Sequence, residues 1–282
     1  QFGSYAPDEV AWLLTELSGA ELEAPAEERE ESIQSGAAHY AESLPIEYRP
    51  SADYLALFHA TLASSAQRLA QAVGVVTELV LAERGPAPVL VSLARAGTPI
   101  GILMRRWAAF AHGAQLPHYT ISIVRGRGID TAALRYLAAH HDPASVVFVD
   151  GWTGKGAIAR ELAEAVGKAD AELGASFRAE LAVLADPGGC VRMFGTRVDF
   201  LIPSACLNST VSGLVSRTVL NRALLGAGQF HGAKFYAHLA GSAVSARFLD
   251  AVSSRFQDVA DAVARDWPHR QAADRTPTWA GW

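Results

Sequence analysis

The stretch that most constrains the fold is Ser145-Val-Val-Phe-Val-Asp-Gly-Trp-Thr-Gly-Lys-Gly-Ala-Ile158. Val146 to Val149 form a continuous apolar run rich in β-branched residues, the pattern of a strand covered on both faces. The run stops at Asp150. Gly151, Gly154 and Gly156 follow, and glycines let a backbone turn sharply and point several N–H groups at one small ligand. From Ala157 on, Ile158, Leu162, Ala165 and Val166 recur at helical spacing, so the sequence predicts a helix over 157–173. A strand, a glycine loop and a helix N-terminus in that order can hold a phosphate. Thr153 and Lys155 stand in the loop, and Asp150 at the strand end can accept hydrogen bonds from sugar hydroxyls. An ordinary strand-to-helix turn is the plainer alternative. A Walker A loop is excluded, because Gly154-Lys155 is followed by Gly156 and Val149 occupies the first glycine position.

A second strand–loop–helix lies upstream. Val89 to Leu93 reads as a strand, followed by Ala94-Arg-Ala-Gly-Thr-Pro-Ile-Gly101 and a helix bearing Ile102, Leu103, Trp107 and Phe110. Between the two units, Tyr119 to Val124 predicts another strand, with Arg125-Gly-Arg-Gly128 after it. Asp130 is placed to cap a helix that ends near His140-His141. Leu181–Ala185 and Val198–Ile202 read as two further buried strands. Together these units predict an α/β fold with a mostly parallel central sheet of five or six strands and helices on both faces. Strand ends that face one crevice are where such folds place ligands.

The paired loops resemble those of type I phosphoribosyltransferases. That resemblance implies a ribose-5-phosphate held by Gly151, Thr153, Gly154, Lys155 and Gly156, and a diphosphate facing Arg95 and the loop of Ala94, Ala96 and Gly97. It also implies that Arg125 and Arg127, on a mobile loop, meet the leaving diphosphate, with Mg²⁺ as the cofactor. Gly151 replaces the second acid of the family's loop, and Ala157 stands where Thr or Ser is common.

The rest of the chain sets the organisation. Residues 1–50 read as an N-terminal extension and 51–282 as the main domain with a C-terminal hood-like and helical region. In the extension, Pro7-Asp8 predicts a helix carrying Val10, Leu13, Leu14 and Leu17, and Glu21 to Glu31 predicts a solvated linker or exposed helix. Residues 52–84 carry a long helical pattern that Gly74 is placed to kink. Helical patterns return over Val215–Leu225 and Val244–Val263, and the tail from Pro268 is polar with Trp279 and Trp282. The chain has 282 residues, half of them hydrophobic, a net charge of −5 and two cysteines. These numbers suffice for a large core and exclude a disulfide framework. Basic residues are scattered, so no strong nucleic-acid signal is present. No apolar run reaches membrane length and no leader pattern opens the chain, so the expectation is a cytoplasmic protein with a small-molecule phosphoribosyl or nucleotide ligand, no membrane partner and room for a homo-oligomeric state.

Three segments carry a second resemblance: Gly3-Ser-Tyr, His39-Tyr-Ala-Glu-Ser-Leu-Pro, and Pro203 to Asn221 with its run of small polar residues. They resemble a bacterial family of tellurite-resistance and stress operons, described both as phosphoribosyltransferase-like and as a cysteine protease of the StiP type. The transferase reading takes Asp150, Arg95, Arg125 and Arg127 as the reacting machinery. It assigns Asn208, Ser209, Thr210, Arg217, His231 and Lys234 to the acceptor or its phosphate. The peptidase reading makes Cys206 the nucleophile, with His231 or His238 as its partner. A non-catalytic nucleotide sensor is the third reading, favoured by Gly151. The expectation from sequence is phosphoribosyl transfer.

Overall fold

The computed structural model describes residues 2–34 and 40–278. In chain order the elements are β1 (Ala11–Trp12), β2 (Thr15–Glu16), β3 (Glu23–Ala24), α1 (Ala26–Gln34), β4 (Leu44–Pro45), α2 (Ala52–Arg84), β5 (Val89–Leu93) and α3 (Gly97–His112). Then follow β6 (His118–Ile121), β7 (Ile123–Val124), β8 (Gly128–Ile129), α4 (Thr131–His140), β9 (Val146–Trp152) and α5 (Ala157–Leu173). The chain closes with β10 (Leu181–Ala185), β11 (Met193–Thr196), β12 (Gly232–Ala233), α6 (Ser245–Ser253) and α7 (Phe256–Ala272).

The central sheet has six strands in the order β1-β6-β5-β9-β10-β11. Every pairing in it is parallel. Continuous apolar strands such as Val89–Leu93 and Leu181–Ala185 demand cover on both faces, and they have it. Leu90, Val147, Val149, Ala182 and Leu184 share one core with α2, α3, α6 and α7. Val89, Val91, Leu93, Val146, Phe148, Leu181 and Val183 share the other with α4 and α5. The two-residue alternation along each strand sorts the side chains between these cores. Together they make a helix–sheet–helix stack.

α2 is the long helix that the pattern over 52–84 predicts. Ser51 caps it, its hydroxyl accepting from the Tyr54 N–H at 3.3 Å. Gly74 serves contact: a Cβ there would sit 2.8 Å from the Trp107 ring and 2.6 Å from Val263 Cγ2, so the missing side chain lets α3 and α7 close on α2. Asp130 caps α4 as expected, accepting from the N–H groups of Ala132 and Ala133 at 3.0 and 3.1 Å. The acidic Glu21–Glu31 region ends in α1, an exposed helix.

Four expectations are corrected. Val10, Leu13 and Leu17 belong to no helix; β1 runs along β6 and extends the central sheet. Their three- and four-residue spacing arises because Val10 and Leu13 flank a two-residue strand and both are buried. Val198–Ile202 is not a strand. β11 lies earlier, at Met193–Thr196, and Val198 and Leu201 are exposed. Val215–Leu225 is not helical either: Val215 and Val219 form isolated bridges with Phe235 and Gly232. Val244–Val263 splits into α6 and α7 around Ser254 and Arg255, and α7 carries Pro268 within it to Ala272. His39, Trp279 and Trp282 lie outside the described residues.

Candidate functional site

β5 lies between β6 and β9, so the chain's strand order reverses direction there. At such a point the loops after two neighbouring strands part and leave a crevice at their carboxyl ends. Arg95 and Ala96 follow β5; Asp150, Gly151 and Trp152 end β9. All five line one cavity of about 680 Å³. Its opposite wall is the irregular segment 199–212, including Phe200, Leu201 and Ile202. Those are the apolar residues that mimic a strand in the sequence. Their apolarity faces the cavity rather than a sheet.

The cavity gathers only part of the expected site. Arg95, Ala96, Asp150, Gly151 and Asn208 line it. Gly97 opens α3 beneath it, and a Cβ there would press into the Val149 carbonyl. Ala94 donates its N–H to the Ile121 carbonyl at 2.8 Å, and Thr153 is buried with its N–H on the Ala185 carbonyl at 3.1 Å. Gly154 sits against the Trp152 ring. Gly156 takes φ +72°, the left-handed cap of α5. Lys155 and Arg217 are exposed.

The other expected residues lie elsewhere. Arg125 and Arg127 stand at the tip of the β7–β8 hairpin, where Arg127 meets Glu42 at 3.6 Å and the Arg125 carbonyl accepts from the Tyr40 hydroxyl at 3.3 Å. His231 lines a second cavity of about 480 Å³; its Nδ1 is 2.8 Å from the Ser122 hydroxyl and its backbone N–H donates to Asp130 at 2.6 Å. Burial lowers its pKa. Lys234 clamps β3, donating to the Ala20 carbonyl at 2.6 Å and to Glu23 at 2.7 Å. Among the described residues, no group of three or more His, Cys, Asp or Glu side chains could hold a metal ion. No described helix is long and apolar enough to cross a membrane.

Glu47 is the residue that the sequence gives no means of finding. Its carboxylate takes an ion pair from Arg95 and the N–H of Ser209 at 2.8 Å. Arg95 also donates to the Val215 carbonyl at 3.1 Å. The guanidinium expected to face a diphosphate is thus neutralised within the protein. Nearby, Asn208 accepts from the Thr210 N–H and hydroxyl, and donates to the Tyr48 carbonyl at 2.8 Å. The segment around Glu47 therefore pins both the loop after β5 and the 208–210 turn.

Asp150 lines the cavity and is half-buried. Burial pushes its carboxyl up to about 6, against the Gly151 N–H that donates to it at 2.7 Å. Asp199 stands exposed at the rim and accepts from the Trp152 indole N–H at 2.9 Å. Among the described residues neither carboxylate has an ion-pair partner.

The two thiols differ sharply. Cys190 is buried, and burial together with Asp186 raises its pKa. Its N–H donates to Asp186 at 2.9 Å and its sulfur lies 3.7 Å from the Gly154 carbonyl. Cys206 closes a 3-10 turn, Pro203–Cys206, and is partly exposed. Ser204, Ala205, Leu207 and Asn208 around it all line the cavity, while its own side chain packs at the edge of the α2-side core. Among the described residues its sulfur has no histidine as a hydrogen-bond partner, so the expected pairing with His231 or His238 is not formed.

Residues 3–253 match a family described as tellurite-like stress resistance cysteine protease StiP. The chain belongs to the StiP family. A relative from Acinetobacter baylyi (strain ATCC 33305 / BD413 / ADP1), called cysteine protease StiP, is 39% identical over 259 residues, covering 89% of this chain and 66% of the relative. The chain thus spans just under two thirds of that StiP protein's length. These findings overturn the expectation of a phosphoribosyltransferase, a glycosyltransferase that binds phosphoribosyl diphosphate. Both carry the name of a cysteine protease, which was the alternative. The engagement of Arg95 by Glu47 gives the physical side of the correction: among the described residues Arg95 is the one cation lining the cavity, and it is already paired.

Proposed function

We propose that the chain is a thiol-dependent peptidase that takes its substrate into the cavity at the carboxyl ends of β5 and β9, with Cys206 as the nucleophile. The observation that carries the choice of cysteine is position: Cys206 lies between cavity-lining neighbours, whereas Cys190 is buried and tied to the loop below. A buried thiol in apolar surroundings is inert, whereas a partly exposed one is within reach of a substrate. In this reading a change of χ1 brings the sulfur into the cavity. The Cys206 thiol gives its proton to solvent, the thiolate adds to the peptide carbonyl carbon, the C–N bond breaks as the amine takes a proton back from solvent, and a water molecule hydrolyses the thioester to the carboxylic acid and restores the thiol. The glycine loop and the sheet, phosphoribosyltransferase-like in arrangement, serve as scaffold only.

The test is cleavage of a peptide library by wild type, Cys206→Ser and Cys190→Ser. The reading expects wild-type cleavage that falls at least about a thousandfold in Cys206→Ser, since a hydroxyl is a much poorer nucleophile at neutral pH. Cys190→Ser should keep most of it. Equal cleavage by wild type and Cys206→Ser would refute the assignment.

A further inference from the structure

We infer that the cavity is specific for a cationic side chain, so that the peptide it accepts presents arginine or lysine there. The inference rests on the peptidase reading for the statement that the bound group belongs to a peptide. The recognition itself follows from the cavity's chemistry. Most of the wall is apolar, formed by Pro99, Phe200, Leu201, Ile202, Leu207 and Val211. Such a wall suits the long methylene stem of a basic residue, which covers apolar surface while its head stays polar.

The charges select the head. Arg95 is the only cation lining the cavity among the described residues, and Glu47 neutralises it. Asp150 and Asp199 remain, two carboxylates without a cationic partner. Arg68 lies over the Phe200 ring at 4.3 Å and lines a separate cavity that Asp266 also lines. Trp152 supplies an independent observation. The residue is 47% exposed and lines the same cavity, and its indole N–H donates to Asp199. An open aromatic face held beside two carboxylates attracts a cation through both the ring and the charges. An anionic or neutral occupant would leave the half-buried Asp150 carboxylate without a countercharge, an unfavourable arrangement for a carboxylate.

The experiment is calorimetric titration of Cys206→Ser protein with Nα-acetyl-arginine amide and with its neutral isostere, Nα-acetyl-citrulline amide. The inference expects arginine to bind at least about tenfold tighter, the scale of one hydrogen bond to a charged group. In Cys206→Ser carrying Asp150→Asn and Asp199→Asn, that preference should shrink to roughly threefold or less. If the triple variant does not fold by circular dichroism, Asp199→Asn alone, at an exposed position, should still reduce the preference about two- to threefold. Equal binding of the two probes, binding of neither, or a preference that survives the Asp substitutions would overturn the inference. Because Cys206→Ser turns nothing over, this result is independent of library cleavage by wild type, and either reading can fail alone.

Discussion

Glu47→Gln is the perturbation with the most to say about how the cavity is held. The Glu47 side chain is 5% exposed and that of Arg95 16%. The pair is therefore largely out of water, and removing one partner of such a pair costs about 3–5 kcal/mol because the other charge is left buried. Two features reduce that here. Arg95 keeps the Val215 carbonyl at 3.1 Å, and glutamine can still accept the Ser209 N–H. The expected loss is about 2–4 kcal/mol. For a domain of this size each kcal/mol moves Tm by about 2–4 °C, so the melting point should fall by roughly 4–16 °C. Scanning calorimetry and urea titration at pH 7.5 measure it. The partner experiment is Glu47→Leu with Arg95→Met. Replacing a buried pair by apolar groups of similar size is often neutral, so the double variant should lie within about 1 kcal/mol of wild type, while the single variants Glu47→Leu and Arg95→Met each lose about 2 kcal/mol or more, and the closed cycle then gives a coupling of about 2 kcal/mol or more. A loss under about 0.5 kcal/mol for Glu47→Gln, with no coupling, would mean that the pair is solvated and pins nothing.

Asp150→Asn should stabilise the protein at pH 7.5. A carboxyl whose folded pKa is raised from 3.8 to about 6 favours its protonated form on folding. It therefore reduces stability as pH climbs from about 4 to about 6, and asparagine removes a penalty on the order of 2 kcal/mol. Melting curves should show the gain at pH 7.5 and its disappearance near pH 4; an unchanged Tm at both would refute the burial argument. By the same protonation, affinity for an arginine probe should fall as pH drops through about 6, measured by titration at pH 5 and 7.5. Gly74→Ala should cost about 1–3 kcal/mol despite the better helix propensity of alanine, because the new Cβ meets Trp107 and Val263. A stabilised variant in urea unfolding would contradict that packing.

How far the sequence shows the fold depends on where apolar residues spend their apolarity. Val89–Leu93, Val146–Val149 and Leu181–Ala185 are legible because strands covered on both faces are apolar at every position, and only a few arrangements satisfy that. The helices at 52–84 and 157–173 are legible from period and caps. Val198–Ile202 misleads because a cavity wall and a buried strand look alike in one dimension. Val10 and Leu13 mislead because a two-residue edge strand is too short to show its alternation. Within the site, Asp150, Arg95, Asn208 and Cys206 stand out as polar or nucleophilic groups at strand ends or in the loop facing them. Glu47 does not: it sits in a proline-bounded loop 48 positions from Arg95 and 162 from Ser209, and nothing local marks it as their common partner. The choice between transfer and proteolysis was not legible either, since the same glycine loop serves as ligand cradle or as scaffold.

The claim that Cys206 is the reacting thiol at the cavity is tested most directly by covalent trapping. Protein treated with a peptidyl vinyl sulfone should gain the mass of one adduct, located at Cys206 by peptide mapping, at a rate well above that for free cysteine. Cys190→Ser protein should trap the probe equally fast, and Cys206→Ser protein should trap none. An adduct at Cys190, or labelling of Cys206 no faster than free cysteine, would contradict the account.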